Sequence, residues 1–257
     1  VTAAASGRVT PYYEDDWVTL YHGEYRDVLG LLPPVDLIIA DPPYGETSLE
    51  WDVWPDGWPG ELAGVARSMW CFGSMRMFLT RGREFSDWKF SQDVVWMKQR
   101  PTTVATDRFA RMHEYVLHWY QGPWSDVQHE TPKIPHIGKR VATTTRGSVS
   151  RNIRGDLGAS AWEDDGARWQ PSILEARTHR AVAINETEKP TGLLEPLISY
   201  ACPLGGTIFD PFAGSCSTGV AARVLGRKAV LVEKRESQCE KAALRLSAMP
   251  LPFEVTA

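Results

Sequence analysis

"TIFDPFAGSCSTGVAARVLGRKAVLVEKR", residues 207–235, holds the pattern from which the fold is read. An apolar run ends on Asp210. A Pro-Phe-Ala-Gly turn follows, then a helical pattern from Ser217, then a second apolar run ending on Glu233. Strand, helix and strand at this spacing make a βαβ unit. Gly214 lets the backbone approach a ligand closely. Glu233 lies 19 positions later, where a carboxylate at a strand tip commonly accepts hydrogen bonds from ribose hydroxyls. The unit therefore suits an adenosine-containing cofactor. The loop is neither GxGxxG nor GxxxxGK[ST], which argues against a dinucleotide and more strongly against a triphosphate.

Working outward, "TGLLEPLISYA" (191–201) and "ESQCEKAALRLSAM" (236–249) read as helices on either side of this unit. Far upstream, "VDLIIA" (35–40) reads as a buried parallel strand that stops at Asp41-Pro42. "PGELAGVARSM" (59–69) reads as a helix, and "WCFGS" (70–74) opens a strand or turn. "DVVWMKQ" (93–99) and "EYVLHWY" (114–120) are aromatic strand candidates. From Gln121 to about Ile184 periodicity fails amid Gly, Ser, Thr, Pro and Arg. So long a weakly patterned stretch is uncommon within a compact domain unless it is functional. The chain thus divides into 1–120, an inserted lobe at 121–184, and 185–257.

The 257 residues carry a net charge of −4, and no apolar run approaches a membrane span. "VTAAASGRVTPYYEDD" (1–16) lacks the basic-then-apolar order of a secretion signal, so a cytoplasmic location is expected. The four cysteines form no CxxC pair and the six histidines show no metal spacing, so no metal is expected. Charge is unevenly placed. Lys133, Lys139, Arg140, Arg146, Arg151 and Arg154 fall in one segment without an acid, leaving 22 basic against 32 acidic residues elsewhere. Such a cluster is either a solvated loop or a contact for a phosphate backbone.

"ADPPYG" (40–45) and "DPFAGSCST" (210–218) together resemble the amino-methylating DNA methyltransferases. "NETEKPTGLLEPLI" (185–198), "HEYVLHW" (113–119) and "HGEYRDVLGLLPPVDLIIADPPYG" (22–45) are similar to further segments of that family. The resemblance covers both ends of the chain and thins between 121 and 184. The DPPY motif precedes the cofactor motif, as in the beta group. The fold it implies is an α/β Rossmann-like methyltransferase fold with circularly permuted motif order and an inserted target-recognition segment. The cofactor it implies is S-adenosyl-L-methionine, held by Lys189, Asp210, Pro211, Phe212, Ala213, Gly214, Ser215, Ser217, Thr218 and Glu233. The partner it implies is double-stranded DNA, met by the basic cluster at 133–154. Beta-group relatives are often dimers, so a homodimer is a further expectation. The setting it implies is restriction–modification, without naming a nuclease.

The resemblance assigns catalysis to Asp41, Pro42, Pro43 and Tyr44, and the chemistry explains why. An exocyclic base amine is a poor nucleophile because its lone pair is delocalised into the ring. Asp41 can accept one N–H and the Pro42 carbonyl the other, which aims the lone pair at the methyl group. The prolines restrict φ and hold both acceptors in place. Tyr44 offers a face on which a flipped-out base can stack. Asp in the first position leans toward adenine N6, with cytosine N4 as the alternative. RNA and protein-glutamine methylation fit the motif order poorly, and a DNA-binding relative of weak activity is the non-enzymatic alternative. Cys216 stands where the family has glycine and is expected to crowd the cofactor. Asn185, Glu186 and Glu24 also depart from the pattern. The tryptophans of "WDVWPDGW" (51–58) either stack on bases or pack their own loop.

Overall fold

The computed structural model describes residues 9–101, 106–135, 151–152, 155–156, 166–177 and 188–249. Its strands are β1 (Tyr13–Glu14), β2 (Val18–His22), β3 (Leu37–Ala40), β4 (Ser68–Gly73), β5 (Lys89–Met97), β6 (His113–Tyr120), β7 (Lys133–Pro135), β8 (Arg151–Asn152), β9 (Gly155–Asp156), β10 (Ala167–Trp169), β11 (Ile173–Glu175), β12 (Thr207–Asp210) and β13 (Lys228–Glu233). The helices are α1 (Tyr25–Val28), α2 (Trp58–Glu61), α3 (Met75–Arg81), α4 (Thr191–Ala201), α5 (Ser217–Val224) and α6 (Glu236–Ser247).

Nine strands form one sheet in the order β1-β2-β13-β12-β3-β4-β6-β5-β11. The five from β2 to β4 run parallel. β3 and β4 are buried along their whole length, as strands covered on both faces must be. Alternate residues feed opposite layers. Leu37, Ile39, Ile208 and Leu231 join Leu193, Leu197 and Ala221 of α4 and α5 in one core. Ile38, Ala40, Phe209 and Val232 join Tyr25, Trp58 and Phe85 in the other. Gly219 allows α5 to lie close on the sheet, because a Cβ there would meet Leu231 Cδ1 at 2.7 Å.

β12 is central, pairing with β13 on one side and β3 on the other. From β12 the chain passes through α5 to β13, whereas from β3 it goes the opposite way, to β4. Ligand crevices of open α/β sheets form at such a reversal, beyond the carboxyl ends of the strands. Asp210 and Asp41 stand at those two ends.

The helix expected at 59–69 is not formed. α2 stops at Glu61, Gly64 turns the chain at φ 89°, and β4 begins at Ser68. Gly60 and Gly64 within eleven residues outweigh the apolar spacing. The chain also separates into two compact units, with Thr131–Gln170 as the smaller. In that unit β7 pairs with β10 and β8 with β9, both antiparallel. β11 completes the edge of the main sheet beside β5, so 171–177 belong to the larger unit rather than to an inserted lobe. Among the described residues no helix is long and apolar enough to cross a membrane.

Candidate active site

β3 delivers Asp41 to the carboxyl edge of the sheet, and Pro42-Pro43 prevent the chain from continuing the strand or entering a helix. The Tyr44 hydroxyl donates to Asp41 Oδ1 at 2.9 Å. Lys189 Nζ donates to Asp41 Oδ2 at 2.5 Å. Burial first, and then the nearby Asp41 and Glu114 charges, raise the Tyr44 hydroxyl well above its ordinary pKa, so it stays a donor. Just beyond, Gly45 turns the chain at φ 68°. The buried Asp52 then gathers the loop. Its carboxylate accepts the N–H groups of Gly45, Glu46 and Thr47 at 2.9, 3.0 and 2.7 Å, and the Thr47 hydroxyl at 2.7 Å. Burial disfavours the Asp52 carboxylate, but these four donors outweigh it and leave its pKa lowered.

β12 delivers Asp210. Its Oδ1 accepts the Phe212 N–H at 3.0 Å and its Oδ2 the Thr218 hydroxyl at 2.6 Å. Burial pushes the Asp210 carboxyl up to about 7, with those two donors opposing and the Asp41 and Glu233 charges adding to the rise. The turn after it passes Gly214 at φ 51°. Phe212 is held edge-on by Tyr25 and Trp58, at 5.6 and 5.4 Å between ring centres. Glu233 closes the loop from the end of β13. Its Oε2 accepts the Gly214 N–H at 2.9 Å, and its Oε1 accepts the Arg235 N–H and Nε at 2.8 and 3.1 Å. A carboxylate has about four acceptor positions, so these three donors leave one for a ribose hydroxyl, and a second hydroxyl would compete with the Arg235 side chain.

These groups line one cleft of about 2700 Å³. Small-molecule pockets occupy about 300–1,000 Å³, so there is room for a nucleoside-sized ligand and a second reactant. Asp41, Pro42, Pro43, Tyr44, Lys189, Glu233 and every residue of 210–218 except Cys216 line it. Lys189, expected on the cofactor side, reaches the DPPY carboxylate. Cys216 is fully buried among the residues of the α4–α6 core, and its backbone adopts φ 59°, the left-handed conformation glycine favours. The expected crowding of the cofactor is therefore replaced by backbone strain. Trp54 and Trp58 are core residues, whereas Trp51 is 40% exposed with the Arg235 guanidinium 5.2 Å from its ring. Glu24 pairs with Lys234 at 2.6 Å. Asn185 and Glu186 lie outside the described residues.

Of the basic cluster, Lys133 is described as an exposed residue of β7 with its ammonium 5.2 Å from the Trp169 ring. Arg151 is described through its backbone in β8. Lys139, Arg140, Arg146 and Arg154 lie outside the described residues. A set of arginines at the cleft rim was not anticipated, of which Arg108 pairs with Asp107 at 2.5 Å. The exposed Arg76, Arg100, Arg108 and Arg177 border the cleft, as does Phe109 at 99% exposure. These five are scattered through the sequence and meet only because loops from several strands share one edge of the sheet. Glu114 and Lys98 were also missed as site residues. They pair with each other beside Lys189. The available signal was a charged residue within each of two apolar-rich patterns, Lys98 in 93–99 and Glu114 in 114–120.

Comparison with known proteins agrees in sequence and in fold. The family model described as DNA methylase (N6_N4_Mtase) matches residues 35–244. Type II methyltransferase M.ScaI of Streptomyces caespitosus is 26% identical over 270 residues, covering 93% of this chain and 84% of that protein. Type II methyltransferase M2.DpnII of Streptococcus pneumoniae is 23% identical over 273 residues, covering 93% and 92%. Among solved structures, the M1.HpyAVI–SAM complex aligns with TM-score 0.61 and 20% identity, over 89% of this chain and 98% of that one. The cytosine-N4-specific PvuII DNA methyltransferase aligns with TM-score 0.61 and 14% identity, over 91% and 88%.

Proposed function

The chain belongs to the DNA methylase family of amino-methyltransferases, which act on adenine N6 or cytosine N4, and from that premise we propose that it methylates the N6 amine of adenine in double-stranded DNA. S-adenosylmethionine supplies a methyl group activated by a sulfonium, whose sulfur keeps the bonding pair when the methyl leaves. The observation that carries the reading is the meeting of Asp41 and the Asp210–Thr218 loop at the ends of two neighbouring parallel strands, in one cleft.

The fit of the cofactor rests on the loop. Gly214 brings backbone close to the cleft, Glu233 offers its carboxylate to the ribose, and the acidic Asp210 suits a cationic methionine end. Asp41 and the Pro42 carbonyl accept the two amine N–H groups. As the nitrogen becomes positive, Asp41 stabilises it and takes the departing proton for release to solvent. Tyr44 stacks on the base, which leaves the duplex to reach the cleft. The basic segment at 133–154 and the arginines bordering the cleft meet the phosphate backbone. A cytoplasmic location follows from a DNA substrate. A protein of this family that works as a homodimer, or beside a restriction nuclease, would use the same site.

Adenine rather than cytosine rests on Asp in the first motif position. The test is transfer of labelled methyl groups to unmethylated DNA, followed by digestion to nucleosides. Label in N6-methyl-2′-deoxyadenosine supports the reading. Label in N4-methylcytosine would replace it with the cytosine reaction, and no label would reject both.

A further inference from the structure

The proposed reaction asks Asp41 to accept an amine N–H, yet both its oxygens are already engaged, one by Tyr44 and one by Lys189. Tyr44 is neutral and leaves lone pairs free. Lys189 is a different matter. Its side chain is 10% exposed, and although burial opposes the charge, Asp41 and Glu114 together raise its pKa. A full positive charge thus sits on the carboxylate that must later stabilise a nitrogen becoming positive. Left there, it would cancel much of that stabilisation.

The surroundings offer it another place. Glu114 Oε2 lies 3.7 Å from Lys189 Nζ, and this oxygen is buried without a hydrogen-bond partner. The other oxygen of Glu114 is held by Lys98, whose ammonium also rests 4.6 Å from the Trp96 ring. Burial works against ionisation of Glu114, but the Lys189 and Lys98 charges outweigh it. Glu114 is therefore an anchored carboxylate presenting one unused acceptor to a neighbouring cation. A shift of about 1 Å would close that gap to hydrogen-bond distance.

We propose that Glu114 is a positioning residue, the acceptor to which Lys189 moves when the target amine replaces it on Asp41. Before the base arrives, Lys189 keeps Asp41 paired. With the base in place, Glu114 draws Lys189 away and returns Asp41 to full charge. The inference rests on the reading of Asp41 given above.

A mutant cycle tests it in the full-length protein with unmethylated DNA. Glu114→Gln keeps the shape but removes the charge that attracts Lys189. Its kcat should fall about 10- to 100-fold, the range for groups coupled in one network, with cofactor affinity unchanged by calorimetry. Adding Lys189→Met should recover at least about tenfold of that loss, because no ammonium then needs a second acceptor. A merely structural Glu114 would give losses that add. Should Glu114→Gln not fold, Glu114→Asp retracts the acceptor by one methylene and should show the same pattern. Wild-type kcat in the Glu114 variant, or no recovery in the double variant, overturns the proposal. Activity retained by Asp41→Ala would instead reject the reading of Asp41 itself.

Discussion

Glu233 holds the cofactor loop together through Gly214 and is also the expected ribose partner, so its removal acts twice. Glu233→Ala deletes hydrogen bonds to a charged group, each contributing about 1.5–3 kcal/mol. Cofactor affinity should fall roughly 10- to 150-fold in calorimetry, with some loss of thermal stability from the freed loop. Unaltered affinity would mean that another group holds the ribose. Cys216 behaves differently. Its departure from glycine was legible in the sequence, but the direction of its side chain was not, because that depends on the left-handed backbone and on how α5 meets the sheet. Cys216→Gly relieves strain of about 1–3 kcal/mol and empties a small buried volume, so the two effects oppose. Cofactor affinity should change less than about threefold, under 1 kcal/mol. Tenfold tighter binding would restore the crowding account.

Among the elements, α4, α5, α6, β12 and β13 were readable because their apolar periodicity and flanking glycines agree with one another. The stretch at 51–69 was readable only in part. Of the two readings of its tryptophans, packing holds for Trp54 and Trp58, which tertiary contacts bury, Trp54 with its Nε1 donating to Glu84 at 2.9 Å. The apolar spacing at 59–69 was overridden by Gly60 and Gly64. β6 carries a separate consequence. His118 is fully buried between Trp70 and Tyr200, with Nε2 2.8 Å from the Ser68 hydroxyl. Burial, and secondarily His129, pull its pKa down to about 3. Below the ordinary value near 6.5, the unfolded chain takes a proton that the folded chain refuses. The neutral His118 therefore contributes stability that is present above about pH 6.5 and is lost as pH falls toward 3. By pH 5 the loss is about 2 kcal/mol. Urea unfolding at pH 7.5 and 5.0 should show that much less acid sensitivity in His118→Gln than in wild type. Equal sensitivity would mean that His118 does not set it.

For the whole molecule, a net charge of −4 hides the basic segment at 133–154 and a set of arginines around the cleft. The first was visible as a run; the second exists only once β4, β5, β6 and β11 share an edge. Each phosphate contact contributes a slope of about −0.9 to log affinity against log salt. Replacing Lys139, Arg140 and Arg146 with Ala should reduce the slope by about 1 to 3 units. Replacing Arg76, Arg100 and Arg108 should do the same, and neither should alter cofactor affinity. An unchanged slope removes the corresponding region from the DNA interface. The permuted order was readable from the two motifs, but their meeting depends on β3 pairing with β12 across some 170 residues of chain, which no local pattern encodes. Asp41→Ala probes that meeting, with methyl transfer to DNA and cofactor binding measured on the same preparation. Transfer should fall at least about 100-fold, the scale of one lost transition-state hydrogen bond, while cofactor affinity stays within about threefold. Near-full methyl transfer by Asp41→Ala would contradict the account.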